Sequence, residues 1–225
     1  MKKYNKGNLK QITIPPKSVK LAEFVGIILG DGNIHFYKKG KKIGTYMIRI
    51  ALDKIKDKDY YTNYIPLLGK NLFGLAPKYY FQGGNQALVI YHSRKLVDFF
   101  IDMGLKPGSK KTNQTTIPLW IWEKDEWLRA CIRGLLDTDG SFYEMKPHWP
   151  GLYQITLENF NITLLRDARN ALIKLGFKVS KICGNRTEHG TKFYITRKDQ
   201  INKFYKEIGF SNLKHQKRYH NSPMV

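Results

Sequence analysis

Two stretches decide the fold: Phe24-Val-Gly-Ile-Ile-Leu-Gly-Asp-Gly32 and, 108 positions further on, Ile132-Arg-Gly-Leu-Leu-Asp-Thr-Asp-Gly140. Each reads as the end of an apolar helix closed by an acid and a glycine. Gly26 and Gly30 lie four apart on one helical face, and Gly134 and Thr138 hold the matching places in the second copy. Small residues at that spacing let two helix backbones approach closely. Such a crossing would bring the two C-terminal ends together and set Asp31 beside Asp139. A single Gly-Asp-Gly after a helix is usually a cap and turn. Two copies on helices with matching small residues favour a functional reading.

Working outward, the copies sit in equivalent surroundings. Ser18 is positioned to cap a helix from Val19 to about Leu29, followed by alternating stretches Asn33–Tyr37 and Thr45–Leu52 that read as a hairpin. In the second strand Tyr46, Ile48, Ile50 and Leu52 share one face, and Met47, Arg49 and Ala51 the other. Residues 58–73 have helical spacing. Lys78–Phe81 and Ala87–Tyr91 form a second hairpin, and Ser93 caps a helix reaching Met103 with Gly104 as its stop. The order then repeats: helix from about Lys124 to Thr138, hairpin Ser141–Met145 with Tyr153–Leu157, helix Ile162–Leu175, hairpin Lys178–Ile182 with Lys192–Ile195, helix Lys198–Ile208. Ile48-Arg-Ile-Ala-Leu-Asp53 echoes Gln154-Ile-Thr-Leu-Glu158, and Met103-Gly-Leu105 echoes Ile208-Gly-Phe210. The expectation is an α+β protein of two pseudo-symmetric αββαββα units. A basic tail covers 1–17, the first unit 18–105, a polar linker 106–118 and the second unit 119–225.

Charge narrows the function. Lys and Arg number 39 against 18 acids, a net charge of +21, which points to a polyanionic partner. No apolar run approaches the roughly 18–20 residues of a membrane span, and no apolar segment follows the basic start as in a secretion signal. Nucleic acid is the better reading, with an intracellular, non-secreted location. Cys131 and Cys183 form no Cys-x-x-Cys pair and read as reduced core residues, and the six histidines make no compact metal pair. Trp120, Trp122, Trp127 and Trp149 read as core or linker packing.

Two carboxylates held together at helix C-termini repel each other, and the helix dipoles worsen it. Divalent cations relieve that strain. Mg²⁺ commonly takes one or two carboxylates, waters and substrate phosphates, with the carbonyls of Gly30 and Thr138 as candidate further ligands. Metal so placed suits in-line phosphodiester displacement.

Arg133-Gly-Leu-Leu-Asp-Thr-Asp-Gly-Ser141 resembles the LAGLIDADG signature of homing endonucleases. Phe24–Gly32 is a more degenerate copy in which Leu29 stands in place of the motif's first acid. The likeness runs from about Ser18 to Arg218. It implies two antiparallel sheets saddled over the major groove of duplex DNA. It also implies cleavage with two or three Mg²⁺ ions, short 3′ overhangs, and a monomer acting on a long asymmetric target. Mn²⁺ is expected to substitute, and Ca²⁺ to bind without supporting cleavage. Asp31 and Asp139 match the family's metal-binding acids. Lys110, Lys111, Lys214 and Lys217 are similar in position to its catalytic lysines, and Asp53 or Glu158 to a polar residue near the end of each second strand. On that fold, alternation turns Asn33, His35, Tyr37, Thr45, Met47, Arg49, Lys78, Tyr80 and Gln82 toward DNA in the first half. In the second half it turns Ser141, Tyr143, Gln154, Thr156, Lys181, Lys192 and Tyr194 the same way. Two other readings stand beside the nuclease. One is a maturase binding intron RNA on the same fold; the other is a non-catalytic DNA-binding regulator, for which an appended helix-turn-helix would be expected.

Overall fold

Each repeat opens on a helix that ends at its acid. The computed structural model describes residues 10–39, 42–184 and 191–224, with backbone alone for 37–39 and 42–43. Helix α1 (Val19–Leu29) begins where the Ser18 side chain accepts the Leu21 N–H, and stops at Gly30. Leu21 through Leu29 are all buried, so α1 lies inside the molecule rather than along its surface. Its partner α5 (Asp125–Thr138) follows a 3-10 turn at Leu119–Glu123 and carries Asp125 and Glu126 in its first turn, where the helix dipole favours negative charge. A Cβ on Gly26 would collide with the Cys131 carbonyl oxygen, and one on Gly134 with that of Glu23. The expected glycine-mediated crossing is therefore present, and it is backbone against backbone.

The first half continues as β1 (Gly32–Lys39), β2 (Lys42–Asp53), a π-helical turn (Tyr60–Tyr64) running into α2 (Ile65–Phe73), β3 (Lys78–Gln82), β4 (Gln86–His92) and α3 (Arg94–Asp102). The sheet is antiparallel in the order β1-β2-β4-β3. Ile48, Ile50 and Leu52 are buried on one face of β2 while Arg49 is exposed on the other. Phe24 of α1 packs edge-on to Phe73 and Tyr91 and is stacked on Phe100, joining α1 to α2, β4 and α3. Ser93 caps α3 by accepting the Leu96 N–H.

The linker is not featureless, since it holds a single helical turn, α4 (Lys110–Asn113). The second half follows α5 with β5 (Gly140–Glu144), β6 (Tyr153–Asn159), α6 (Ile162–Lys174), β7 (Thr191–Ile195), α7 (Lys198–Glu207) and α8 (Leu213–His220).

Several expectations need correction. The second sheet has three strands among the described residues, β5-β6-β7, because 178–182 is not a strand. The Lys178 N–H donates to Gln200 Oε1 and the Tyr194 N–H to Ser180 Oγ, so side chains interrupt the ladder a strand would need. Helix α8 was not expected at all. Cys131 is buried but Cys183 is exposed. Trp120 and Trp127 are buried and pack edge to face at 5.5 Å, whereas Trp149, on the turn between β5 and β6, is 57% exposed and belongs to no core.

Candidate active site and nucleic-acid interface

Asp31 and Asp139 meet where α1 and α5 end. A Cβ on Gly30 would strike the Thr138 hydroxyl and lie 3.5 Å from the Asp139 carboxyl carbon, so Gly30 is the gap through which the two acids converge. The two carboxyls share a hydrogen bond. Burial, and next the Asp139 charge, push the Asp31 carboxyl up to about 7. Burial raises Asp139 as well, against the pull of Lys110, a hydrogen bond from Asn159, and Lys214. The pair prefers to hold a proton between its members, the state a cation would replace.

Of the four lysines, the structure brings two to the acids. Lys110 folds back from α4 and its ammonium donates to the carbonyls of Leu29, at 2.9 Å, and of Gly30, so it caps the C-terminus of α1. Burial lowers its pKa, and both aspartates draw it back up. The Gly30 carbonyl assigned to metal from sequence is thus taken by Lys110, and the Thr138 hydroxyl donates to Gly134 and Leu135 carbonyls at 3.0 Å. Lys214 carries charge to both aspartates while bound to Asp57 at 2.8 Å. Lys111 is exposed with its ammonium over the Phe160 ring, and Lys217 is exposed on α8.

The polar strand-end residue is Asn159, one place beyond the expected Glu158. Its amide donates to Asp139 Oδ2 at 2.6 Å, while Glu158 is exposed. Asp53 is occupied with its own turn, accepting the N–H groups of Ile55 and Lys56 and the Asn85 amide.

Behind the acids runs a buried polar network that the sequence reading missed. Glu23, in α1, accepts from Tyr64 Oη at 2.5 Å, Ser211 Oγ at 2.6 Å and Arg133 of α5 at 2.6 Å. Asp137, fully buried, accepts the N–H groups of Ser211 and Asn212 at 3.0 and 3.1 Å; burial still pushes it up to about 7. The Asn212 amide in turn donates to Asp57 at 2.7 Å. Asp57, Asn212 and Lys214 therefore connect the two halves directly behind the aspartate pair.

On the first sheet Asn33 faces Arg49 across β1 and β2, His35 faces Met47, and Lys78, Tyr80 and Gln82 lie on exposed β3. Arg49 and His35 are exposed, and Met47 is partly so. The Asn33 amide donates to Gly108 O at 2.8 Å, which ties β1 to the linker. His92, paired with Met47, joins that face and was not expected. Tyr37 pairs with Thr45 in the register, but its side chain lies outside the described residues. On the second sheet Tyr143 and Lys181 are exposed, and Ser141, Lys192 and Tyr194 are partly so. Gln154 and Thr156 are corrections. They sit on the central strand β6, buried, with the Gln154 amide donating to Tyr143 Oη and the Thr156 hydroxyl to Phe193 O. They support the surface without reaching it. Among the described residues no helix is long and apolar enough to cross a membrane, and no three His, Cys, Asp or Glu side chains cluster to hold a metal.

Residues 126–209 match the LAGLIDADG-like domain family. Solved structures share the fold across most of the chain. Mesophilic variants of the homing endonuclease I-DmoI are 19% identical, cover 84% of this chain and 95% of theirs, and superpose with a TM-score of 0.62. I-DmoI in complex with DNA and Mn is 21% identical over 86% and 97%, with a TM-score of 0.61. The meganuclease I-SmaMI bound to uncleavable DNA is 13% identical over 92% and 88%, with a TM-score of 0.58. A DNA polymerase of Thermococcus sp. (strain GE8) is 26% identical over 219 residues, 92% of this chain. The chain spans only 12% of that polymerase's length, so the likeness carries nothing about polymerisation.

Proposed function

Starting from a chain that has the fold of the LAGLIDADG homing endonucleases and a LAGLIDADG-like domain over residues 126–209, we propose that it is a site-specific DNA endonuclease. It hydrolyses one phosphodiester on each strand of a long asymmetric duplex target and leaves short 3′ overhangs. One chain carries both acids, so a monomer suffices. The observation that carries this reading is the convergence of Asp31 and Asp139 at a crossing too tight for any side chain at Gly26 or Gly134.

The donor set fits a divalent cation of the Mg²⁺ type. It offers two hard carboxylates that repel each other when both are charged, and it leaves the remaining positions to waters and substrate phosphates. I-DmoI has been solved with DNA and Mn, with DNA and Ca, and with target DNA in the presence of Mg, which supports divalent ions here, with Mn²⁺ substituting and Ca²⁺ binding without cutting. Bound between the acids, such an ion would stabilise charge developing on the phosphate and ease ionisation of an attacking water.

The chain's own residues do the rest. Asn159 fixes the Asp139 carboxylate by its amide. Lys110 and Lys214 place positive charge beside both acids, where a pentacoordinate phosphorane gains negative charge. Asn33, His35, Met47, Arg49, Lys78, Tyr80 and Gln82, with Ser141, Tyr143, Lys181, Lys192 and Tyr194, present the face for base edges and phosphates.

The test is cleavage of a randomised duplex library in Mg²⁺, with the cut ends sequenced. The expected outcome is enrichment of one long site with 3′ overhangs, abolished by EDTA. Absence of any enriched cut site in Mg²⁺ or Mn²⁺ would refute the proposal.

A further inference from the structure

Helix α8 presents a stripe of donors that the proposed chemistry does not use. Lys214, Lys217, Arg218 and Asn221 fall at i, i+3, i+4 and i+7, one helical face, while His215 and Tyr219 turn inward and are buried. The stripe begins at Lys214, next to the aspartate pair, and extends about 10 Å along the helix at 1.5 Å per residue. Lys217 and Arg218 form the wall between two open clefts of about 480 and 550 Å³. The first is lined also by Lys56, Lys58 and Lys214, with Asp59 its only acid. The second holds Ser141, Tyr143 and Asn221, and its one acid, Glu144, is already bound to Lys146 at 2.7 Å. Arg218 donates to Phe142 O at 3.3 Å, which holds the guanidinium against β5. This surface is cationic and donor-rich, open at both ends, and continuous with the second sheet's exposed face.

We infer that α8 is a backbone rail: Lys217, Arg218 and Asn221 hold consecutive phosphates of one DNA strand next to the phosphate cut beside Lys214. The inference rests on the endonuclease reading. About 10 Å of donors spans roughly three phosphates at 3.4 Å of axial rise per strand. A small anion would not need a stripe of that length. The rail is one-sided. Its counterpart in the first half, α4, is a single turn whose exposed lysine, Lys111, lies over Phe160.

The experiment measures binding of the full chain to a 30-base-pair duplex of arbitrary sequence across a salt series, in Ca²⁺. Lys217→Gln should reduce the slope of log K against log salt by about 0.9, one phosphate contact, with unchanged thermal stability. Lys217→Arg should restore it, and Lys217→Gln/Asn221→Ala should weaken binding further. Lys70→Gln, which removes the same charge from exposed α2, should leave the slope intact. An unchanged slope in Lys217→Gln, an equal change in Lys70→Gln, or a loss seen on a structured RNA hairpin but not on duplex DNA would overturn the rail. A wild-type chain that binds and cuts DNA with such results sinks the rail alone. A wild-type chain without salt-dependent duplex binding sinks the endonuclease reading with it.

Discussion

The two halves share one chain path and differ in chemistry at three equivalent places. Where the second motif has Asp137, the first has Leu29. Gly32 pairs with Ile50 and Gly140 with Leu157, so two residues further along each second strand stand Leu52, buried, and Asn159, which binds Asp139. Beyond the last helix of each unit, the first half has a four-residue turn that sends Lys110 onto the end of α1. The second has the eight-residue α8. The differences belong together. Asp137 takes the Ser211 and Asn212 N–H groups and so anchors the segment that starts α8. Leu29 offers no acceptor, and the first half fills the same region with a lysine instead. A duplicated fold preserves the crossing that brings the acids together, while the residues around each acid have become unequal.

The comparison breaks most severely if the shared element is removed. Gly134→Leu drives a side chain into the Glu23 carbonyl and should cost about 3 kcal/mol or more, read as loss of a cooperative urea transition. Next comes the contact that joins the halves. Glu23→Ala strands Arg133, Tyr64 and Ser211. Arg133 keeps a quarter of its side chain in solvent, so the loss should sit at the low end of that for a broken buried pair, about 3 kcal/mol. A urea midpoint equal to wild type would show that the halves do not depend on this link.

The asymmetry is sharpened by pH. Burial, then Lys214 and Arg218, lower His215 to about 3 from its ordinary 6.5, and neither ring nitrogen has a hydrogen-bond partner. Its folded pKa is depressed, so the folded state binds fewer protons than the unfolded. The stability it permits is complete above pH 6.5 and falls as pH drops toward 3. His215→Phe should therefore gain about 2 kcal/mol over wild type between pH 8 and pH 5. Asp137 acts in the opposite sense. Raised to about 7, it is destabilising above pH 7 and progressively relieved as pH falls toward 3.8. Comparing the variant with wild type at each pH isolates the histidine. Parallel melting curves for the two would remove α8 from the account of acid sensitivity.

The smallest effect concerns the two acids' neighbours. Asn159→Leu copies the first half into the second and should slow cutting of one strand about tenfold, within the range of a positioning contact, with the other strand little changed. Equal slowing of both strands would mean the sites are not individually tuned.

Much of this was legible in the sequence because it follows from local rules. Ser18 and Ser93 cap as their positions predict, and the Gly26, Gly30, Gly134 and Thr138 spacing forecasts the crossing. What escaped depends on tertiary contact. Helix α8 reads as polar nearly all round, with only His215 and Tyr219 turned inward, although Asn212 as a cap was a usable signal. Asn159 was missed by one place because the strand runs two residues beyond Leu157. Gln154 and Thr156 have the right parity for the DNA face, but a central strand in a narrow sheet is covered by its neighbours' side chains. No pattern of spacing announces that Lys110 folds back over some 80 residues onto Leu29.

Strand-resolved cleavage of a library-selected duplex by Asp31→Asn and by Asp139→Asn, with binding measured in parallel in Ca²⁺, bears on the joint use of the two carboxyls. Each single substitution should abolish Mg²⁺-dependent cutting of both strands while duplex binding persists. Wild-type cutting by either variant would contradict it.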